Sequence, residues 1–127
     1  MSERMSPESS EQISLFEWCE YSRGRYPQLA LLFHVPNGGY RSAATAGRMK
    51  AEGVKAGVPD LCLPVAKGGY HGLFVEMKAG QNKPTALQEK WLSDLDREGF
   101  FTAVCYGWEE AAGVLASYLD GKLRRDQ

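Results

Sequence analysis

Two short apolar runs joined by a glycine-rich connection constrain the fold of this 127-residue chain more than any other feature. The first run follows Asp60, and the second leads into Glu76-Met77-Lys78. Runs of this length that are apolar on both faces are typical of interior strands. Because Gly68 and Gly69 lie between them, the sequence predicts two paired strands, Asp60–Val65 and Gly72–Lys78.

Antiparallel pairing about Gly68 would place Asp60 directly opposite Glu76, about 5 Å away between the Cβ atoms. Strand alternation puts Glu76 and Lys78 on the same face. Two carboxylates that close repel each other unless a cation lies between them, and Mg²⁺ is often held by one or two carboxylates with water and substrate phosphate. Lys78 can orient or deprotonate a water, or stabilise charge on a phosphate. The pattern predicts a site that hydrolyses phosphodiesters.

An ordinary surface ion pair on a hairpin is the alternative interpretation of Glu76 and Lys78, because Glu-x-Lys is a common pattern. The context argues against it. Glu76 follows Leu73, Phe74 and Val75, so its carboxylate is predicted to lie in an interior strand, where a charge is costly without a partner.

Periodicity and capping signals place the other elements around this strand pair. Helices are predicted over Ser10–Arg23, Ser42–Glu52, Thr85–Glu98 and Glu109–Leu119, and further strands over Leu29–Val35 and Phe100–Tyr106. The order α-β-α-β-β-α-β-α predicts an α/β fold with a mixed β-sheet flanked by helices. The length suits one domain over residues 1–127, in which the polar residues 1–9 are expected to be flexible.

Composition excludes several classes of protein. No apolar run approaches the ~20 residues that span a bilayer, and the N-terminus lacks a signal-peptide core, so no membrane association is expected. The three cysteines, Cys19, Cys62 and Cys105, form no CxxC pair, which argues against a zinc site or a disulfide framework. Cys62 and Cys105 are interpreted as core residues of a cytoplasmic protein (in the host cytoplasm, if it is phage-encoded).

Two predicted helices carry polar residues on their inner faces. Glu11 lies one turn before Leu15 on the face that also carries Trp18, so it is the first-helix acid best placed to reach the site through water, or else a favourable charge on the first turn. Gln88 lies among the apolar residues of the helix from Thr85. It either bonds a core carbonyl or holds a site residue or a phosphate.

Candidate DNA contacts lie between Pro36 and Lys55. The turn that contains Asn37, Gly38 and Arg41 could offer backbone N–H groups and a guanidinium to a phosphate, although Asn-Gly also favours a simple turn. Further basic residues follow at Arg48, Lys50 and Lys55. They form either a DNA-binding surface or a solvated helix face in a chain whose net charge is −1.

Four blocks of sequence together resemble the VRR-NUC family, a branch of the PD-(D/E)xK nuclease superfamily. They are HVPNGG from His34, KAGVPDL from Lys55, FVEMK from Phe74 and QEKWL from Gln88. The likeness runs from about Glu11 to Leu119. His34 itself is interpreted as a packed histidine rather than a ligand.

The resemblance implies a restriction-endonuclease-like core, Mg²⁺ or Mn²⁺ as cofactor, and DNA as substrate. It implies Asp60, Glu76 and the Met77 carbonyl as metal ligands, and Lys78 as the catalytic lysine. Glu11 becomes the first-helix acid, with Glu17 as the alternative, and Gln88 an accessory catalytic residue. Short members of the family resemble homodimeric endonucleases that act on branched DNA such as Holliday junctions, which would suit DNA repair.

A different class of function remains to be separated from a nuclease. The chain could be a catalytically silent DNA-binding module, or an accessory subunit of a replication or repair complex. The presence of Asp60, Glu76 and Lys78 together argues against a decayed site, because decay usually removes one of the three.

Overall fold

The computed structural model describes residues 5–36 and 42–125. Its helices are α1 (Pro7–Tyr21), a short 3-10 helix (Pro27–Leu31), α2 (Ala43–Ala51), α3 (Ala86–Arg97) and α4 (Trp108–Leu119). Its strands are β1 (Phe33–His34), β2 (Leu61–Leu63), β3 (Leu73–Lys78) and β4 (Phe101–Tyr106). The mixed α/β class and the order of helices and strands are confirmed, with the 3-10 helix as an addition. No helix among the described residues is long and apolar enough to cross a membrane.

The four strands form one sheet in the order β1-β2-β3-β4. β2 is antiparallel to both of its neighbours, whereas β3 and β4 run parallel. Leu61 pairs with Val75 and Leu63 with Leu73, which is the register that a turn about Gly68 predicts. Asp60, one residue before β2, is therefore brought level with Glu76.

Alternation along β3 separates the core from the polar face of the sheet. Leu73, Val75 and Met77 are at most 2% exposed and belong to a core cluster with Leu15 and Leu115. The opposite face of the strand carries Phe74, Glu76 and Lys78. The fold therefore buries one row of β3 and leaves Glu76 and Lys78 at the end of the other.

The cysteines behave as core residues rather than as reactive groups. All three are free thiols, Cys19 and Cys105 are buried, and Cys62 is half-buried. Burial raises the pKa of Cys19 to about 11 and that of Cys105 to about 12, so both stay protonated near neutral pH.

The predicted strand over Leu29–Val35 is wrong for most of its length. Residues 27–31 form a 3-10 helix instead, with Pro27 in its first turn, and only Phe33 and His34 are extended. A 3-10 helix aligns residues three apart. Leu29 and Leu32 are accordingly buried, while Leu31 and Phe33 are exposed.

The first helix begins earlier than predicted. The Ser6 side chain accepts a hydrogen bond from the Ser9 N–H and caps the helix, and Pro7 occupies its first position. Residues 7–9, which are among those expected to be flexible, lie in this helix. The earlier start places Glu8 in the first turn of α1.

Candidate active site

Asp60 is fixed by hydrogen bonds to both of its neighbouring strands. Its side-chain Oδ2 accepts a hydrogen bond of 2.8 Å from the Met77 N–H. Its backbone oxygen accepts bonds from the Val35 N–H at 2.7 Å and from His34 Nδ1 at 2.9 Å. The Asp60 carboxylate also lies close enough to Glu76 to raise the pKa of that residue.

The Met77 carbonyl points toward the same place as the Asp60 side chain. The N–H of Met77 faces β2, because it reaches Asp60, and the C=O of a strand residue points to the same side as its N–H. Continuing the observed register by two residues sets Pro59 opposite Met77. Proline has no N–H to donate, so the sheet supplies no ladder hydrogen bond to this carbonyl.

Glu76 is a buried carboxylate with an unsatisfied oxygen. It is 3% exposed, and its Oε1 has no hydrogen-bond partner in the part of the chain that the structure describes. Its Oε2 lies 3.7 Å from the Nζ of Lys78. Burial, and then repulsion from Asp60, raises the pKa of Glu76 to about 7, against the opposing effect of the Lys78 charge.

These oxygens suit a hard divalent cation. A buried carboxylate oxygen without a partner is costly unless a cation or donor binds it. Within residues 5–36 and 42–125, no three His, Cys, Asp or Glu side chains converge. An ion here would therefore rely on two carboxylates, a carbonyl and outside oxygens, which is a coordination that Mg²⁺ accepts and a structural zinc site does not.

A cavity of about 500 Å³ opens over the two carboxylates. Its walls come from the start of α1, the end of β1, the segment before β2, the end of β3 and the start of α3. The lining residues are Ser6, Glu8, Ser9, Gln12, His34, Pro36, Gly57, Val58, Asp60, Glu76, Met77, Lys78 and Gln88. The structure thus places Asp60, Glu76, Met77, Lys78 and Gln88 on the walls of one cavity.

Gln88 is held by the start of α3. Its Oε1 accepts a hydrogen bond from the Thr85 N–H, while its own N–H donates to Thr85 Oγ1, which makes a capping box. The carbonyl end of the side chain is therefore occupied at the helix terminus. The amide NH₂ remains as the donor that Gln88 brings to the cavity.

Glu11 does not reach the cavity, contrary to the expectation from the sequence. Its Oε1 accepts a hydrogen bond of 2.7 Å from the Trp108 N–H and caps the start of α4. Glu17, the alternative, is exposed and is not among the lining residues. Glu8 is the first-helix acid that lines the cavity, with its Oε2 bonded to the Asn82 amide.

The sequence analysis leaves out Glu8 because it begins the first helix at Ser10. Ser6 followed by Pro7 is a signal for an N-cap and a first helical residue, and it would have found the earlier start. His34 was also missed as a cavity residue. Its Nδ1 faces a backbone oxygen, which only accepts, so that nitrogen carries the proton.

The proposed DNA contacts are only partly described by the structure. Asn37, Gly38 and Arg41 lie outside the described residues. The other three do not line the cavity but are exposed on α2 and the turn after it: Arg48, Lys50 and Lys55.

Comparisons with known proteins agree with this fold. The model of the VRR-NUC domain family matches residues 6–109. A solved structure described as a VRR_NUC domain protein superposes with a TM-score of 0.78 at 28% identity, and covers 94% of this chain and 93% of its own. No curated protein matches the chain. The chain therefore belongs to the VRR-NUC family, and its domain is a nuclease domain of the PD-(D/E)xK type.

Proposed function

We propose that this protein is a metal-dependent DNA endonuclease that hydrolyses phosphodiester bonds at the Asp60–Glu76 site. One observation carries the proposal: the buried Oε1 of Glu76 has no protein partner within the described residues, and it lies beside Asp60 in an open polar cavity. Such an arrangement is costly for the fold alone. A bound cation removes that cost.

The residues that would hold Mg²⁺ or Mn²⁺ are Asp60, Glu76 and the Met77 carbonyl. When bound, the ion supplies electrostatic stabilisation of the charge that develops on the phosphate. The chain's own contribution is to hold the two carboxylates in register across β2 and β3. Glu8, rather than Glu11, is the acid that approaches from the first helix.

Lys78 and Gln88 would act on the substrate. The side chain of Lys78 is 12% exposed, so its positive charge meets a phosphate in a poorly solvated setting, where electrostatic interactions are strong. Lys78 would stabilise the phosphate or orient the attacking water. The Gln88 amide would donate a hydrogen bond to a phosphate oxygen and fix its position.

DNA would be bound mainly through its backbone. We assign the phosphate contacts to Arg48, Lys50 and Lys55, and to Asn37, Gly38 and Arg41, which precede α2 in the sequence. One active site per chain and two strands to cut favour a homodimer that acts on branched DNA, as at a Holliday junction. A role in DNA repair would follow from that substrate.

Cleavage of labelled four-way junction and linear duplex DNA, with Mg²⁺ or with EDTA, tests this function. A nuclease cuts with Mg²⁺ and stops with EDTA. A silent binding module retards the DNA without cutting it, and an isolated accessory subunit does neither. Cutting that persists in EDTA would contradict the metal-dependent proposal, and equal cutting of linear duplex would contradict the preference for branched DNA.

A further inference from the structure

Helix α3 carries an apolar stripe that the described chain covers only in part. None of its 12 residues is buried, although it packs beside β4. Two parallel rows line an open, mostly apolar groove along it; we call this groove the α3 patch. The rows are Leu87, Trp91 and Leu95, and beside them Lys90, Asp94 and Glu98.

The inner side of the patch is anchored, whereas its outer side faces solvent within the described structure. Trp91 Nε1 donates a hydrogen bond of 3.1 Å to the Ala56 carbonyl, and Gly57 lies against Leu87 and Trp91. Leu87 nevertheless remains 47% exposed. A rigid apolar ridge of this kind is typical of a contact surface rather than of a solvated helix face.

We propose that a second copy of this chain covers the α3 patch, with the two α3 helices packed antiparallel about a two-fold axis. The distribution of charge supports this partner. Lys90 lies on the N-terminal side of the middle of the patch, and Asp94 and Glu98 lie on the C-terminal side. A two-fold antiparallel pair therefore sets each Lys90 against the carboxylates of the other copy.

A second apolar groove does not have this property. It lies on α1, where Ile13 and Phe16 are flanked by Glu17 and Glu20. A two-fold contact there would place acidic side chains against each other, which is unfavourable. Self-association therefore favours α3 over α1.

The role that we give this dimer rests on the proposed endonuclease function, whereas the contact itself is inferred from the surface of α3. Gln88, which lines the catalytic cavity, directly follows Leu87 of the patch. A helix of this length spans about 18 Å. Pairing through α3 would thus place one catalytic cavity at each end of a short pair of helices. This spacing suits an enzyme that cuts two DNA strands.

Complementary charge reversals test this contact by light scattering over a concentration series. The wild-type chain is expected to be a dimer. Lys90→Glu alone, and Asp94→Lys/Glu98→Lys alone, should each shift the protein to monomer, whereas an equal mixture of the two variants should restore dimers. Lys90 and Asp94 also form an ion pair of 2.7 Å within one helix, and each variant loses it. Mixing the variants cannot restore that pair, so a dimer that returns in the mixture must come from contacts between the two copies. Lys122→Glu, on an exposed lysine that does not line the patch, should remain a dimer.

Each other outcome contradicts a defined part of the account. A monomeric wild type overturns this inference and the proposed homodimer together, but a parallel cleavage assay would leave the nuclease function standing. A dimer that survives Lys90→Glu, or a mixture that stays monomeric, overturns the α3 contact alone. Circular dichroism of each variant confirms that the loss of dimer is not a loss of fold.

Discussion

Glu76 departs from an ordinary surface carboxylate more than any other charged residue that the structure describes. It is the one charged side chain in that part of the chain that is buried, and its pKa is raised to about 7 by burial and by Asp60. In the folded protein without metal, Glu76 therefore holds its proton up to a higher pH than it does in the unfolded chain. Folding and protonation are linked.

This linkage predicts that the metal-free protein loses stability as the pH rises from about 4.5 to about 7. In that window the folded state binds more protons than the unfolded state, so the free energy of unfolding falls with pH. Urea denaturation in EDTA across the window measures it. Glu76→Gln should remove that part of the slope, and saturating Mg²⁺ should weaken it. An identical slope in Glu76→Gln would contradict the assignment.

Glu8 and Glu11 are predicted to have separate roles although they lie one turn apart. Glu8→Ala should slow cleavage with little loss of stability, because Glu8 lines the cavity. Glu11→Ala should cost about 1 kcal/mol of stability through the lost cap on α4, with the cleavage rate retained. Single-turnover cleavage and urea denaturation of both variants measure this split. The reverse pattern would restore Glu11 as the site acid.

The sequence predicts side-chain placement well where a strand and a turn determine it. Asp60 and Glu76 are brought together by a period of two residues and one turn, so their positions follow from counting. Glu11 is different. The first helix begins three residues earlier than predicted, and this brings a different acid, Glu8, to the site. Helix boundaries are the least certain part of a sequence-based prediction.

At the scale of elements, the connection between β2 and β3 is held in place by the chain after α4. The Arg125 N–H donates a hydrogen bond of 2.8 Å to the Gly68 carbonyl, and Gly68 has a φ of +60°. A Cβ on Gly68 would lie 2.1 Å from the Leu123 carbonyl oxygen. The hairpin that carries both carboxylates is therefore braced from outside the family-matched segment, which ends at residue 109.

Gly68→Ala should destabilise the protein by at least about 1–2 kcal/mol, because the left-handed conformation and the close carbonyl both oppose a side chain. Gly113→Ala, in α4 with nothing near its added Cβ, should instead stabilise by about 0.5–1 kcal/mol. Thermal or urea denaturation compares the two. A neutral Gly68→Ala would show that the tail does not brace this turn.

The elements themselves are largely predictable, with one physical exception. Thr85, Ser42 and the glycines after each helix give clear start and stop signals, and the corresponding helices are found within about a residue. The run at Leu29–Val35 is too short for its period to distinguish a strand from a 3-10 turn. Which residues of this run are buried depends on contacts with distant parts of the chain, and the local sequence does not specify those contacts.

For the whole molecule, a net charge of −1 means that DNA binding must use local basic surfaces. Arg48→Glu/Lys50→Glu should weaken DNA binding, because about two phosphate contacts are lost. The slope of the logarithm of the binding constant against the logarithm of the salt concentration should become shallower by about 0.9 for each lost contact. Binding to junction DNA over a salt series measures this. Arg23→Glu/Lys122→Glu is the charge-matched control. An equal change in the control would show that only total charge matters.

Single-turnover cleavage of DNA in Mg²⁺ by wild type, Glu76→Gln and Glu52→Gln tests the central claim most directly. Glu52 is an exposed glutamate at the end of α2, so its variant should cut at the wild-type rate. Glu76→Gln should cut at least about a hundredfold more slowly, since even residues that only support metal ligands cost 10–100-fold when they are lost. A Glu76→Gln protein that is folded and cuts at the wild-type rate would contradict the account.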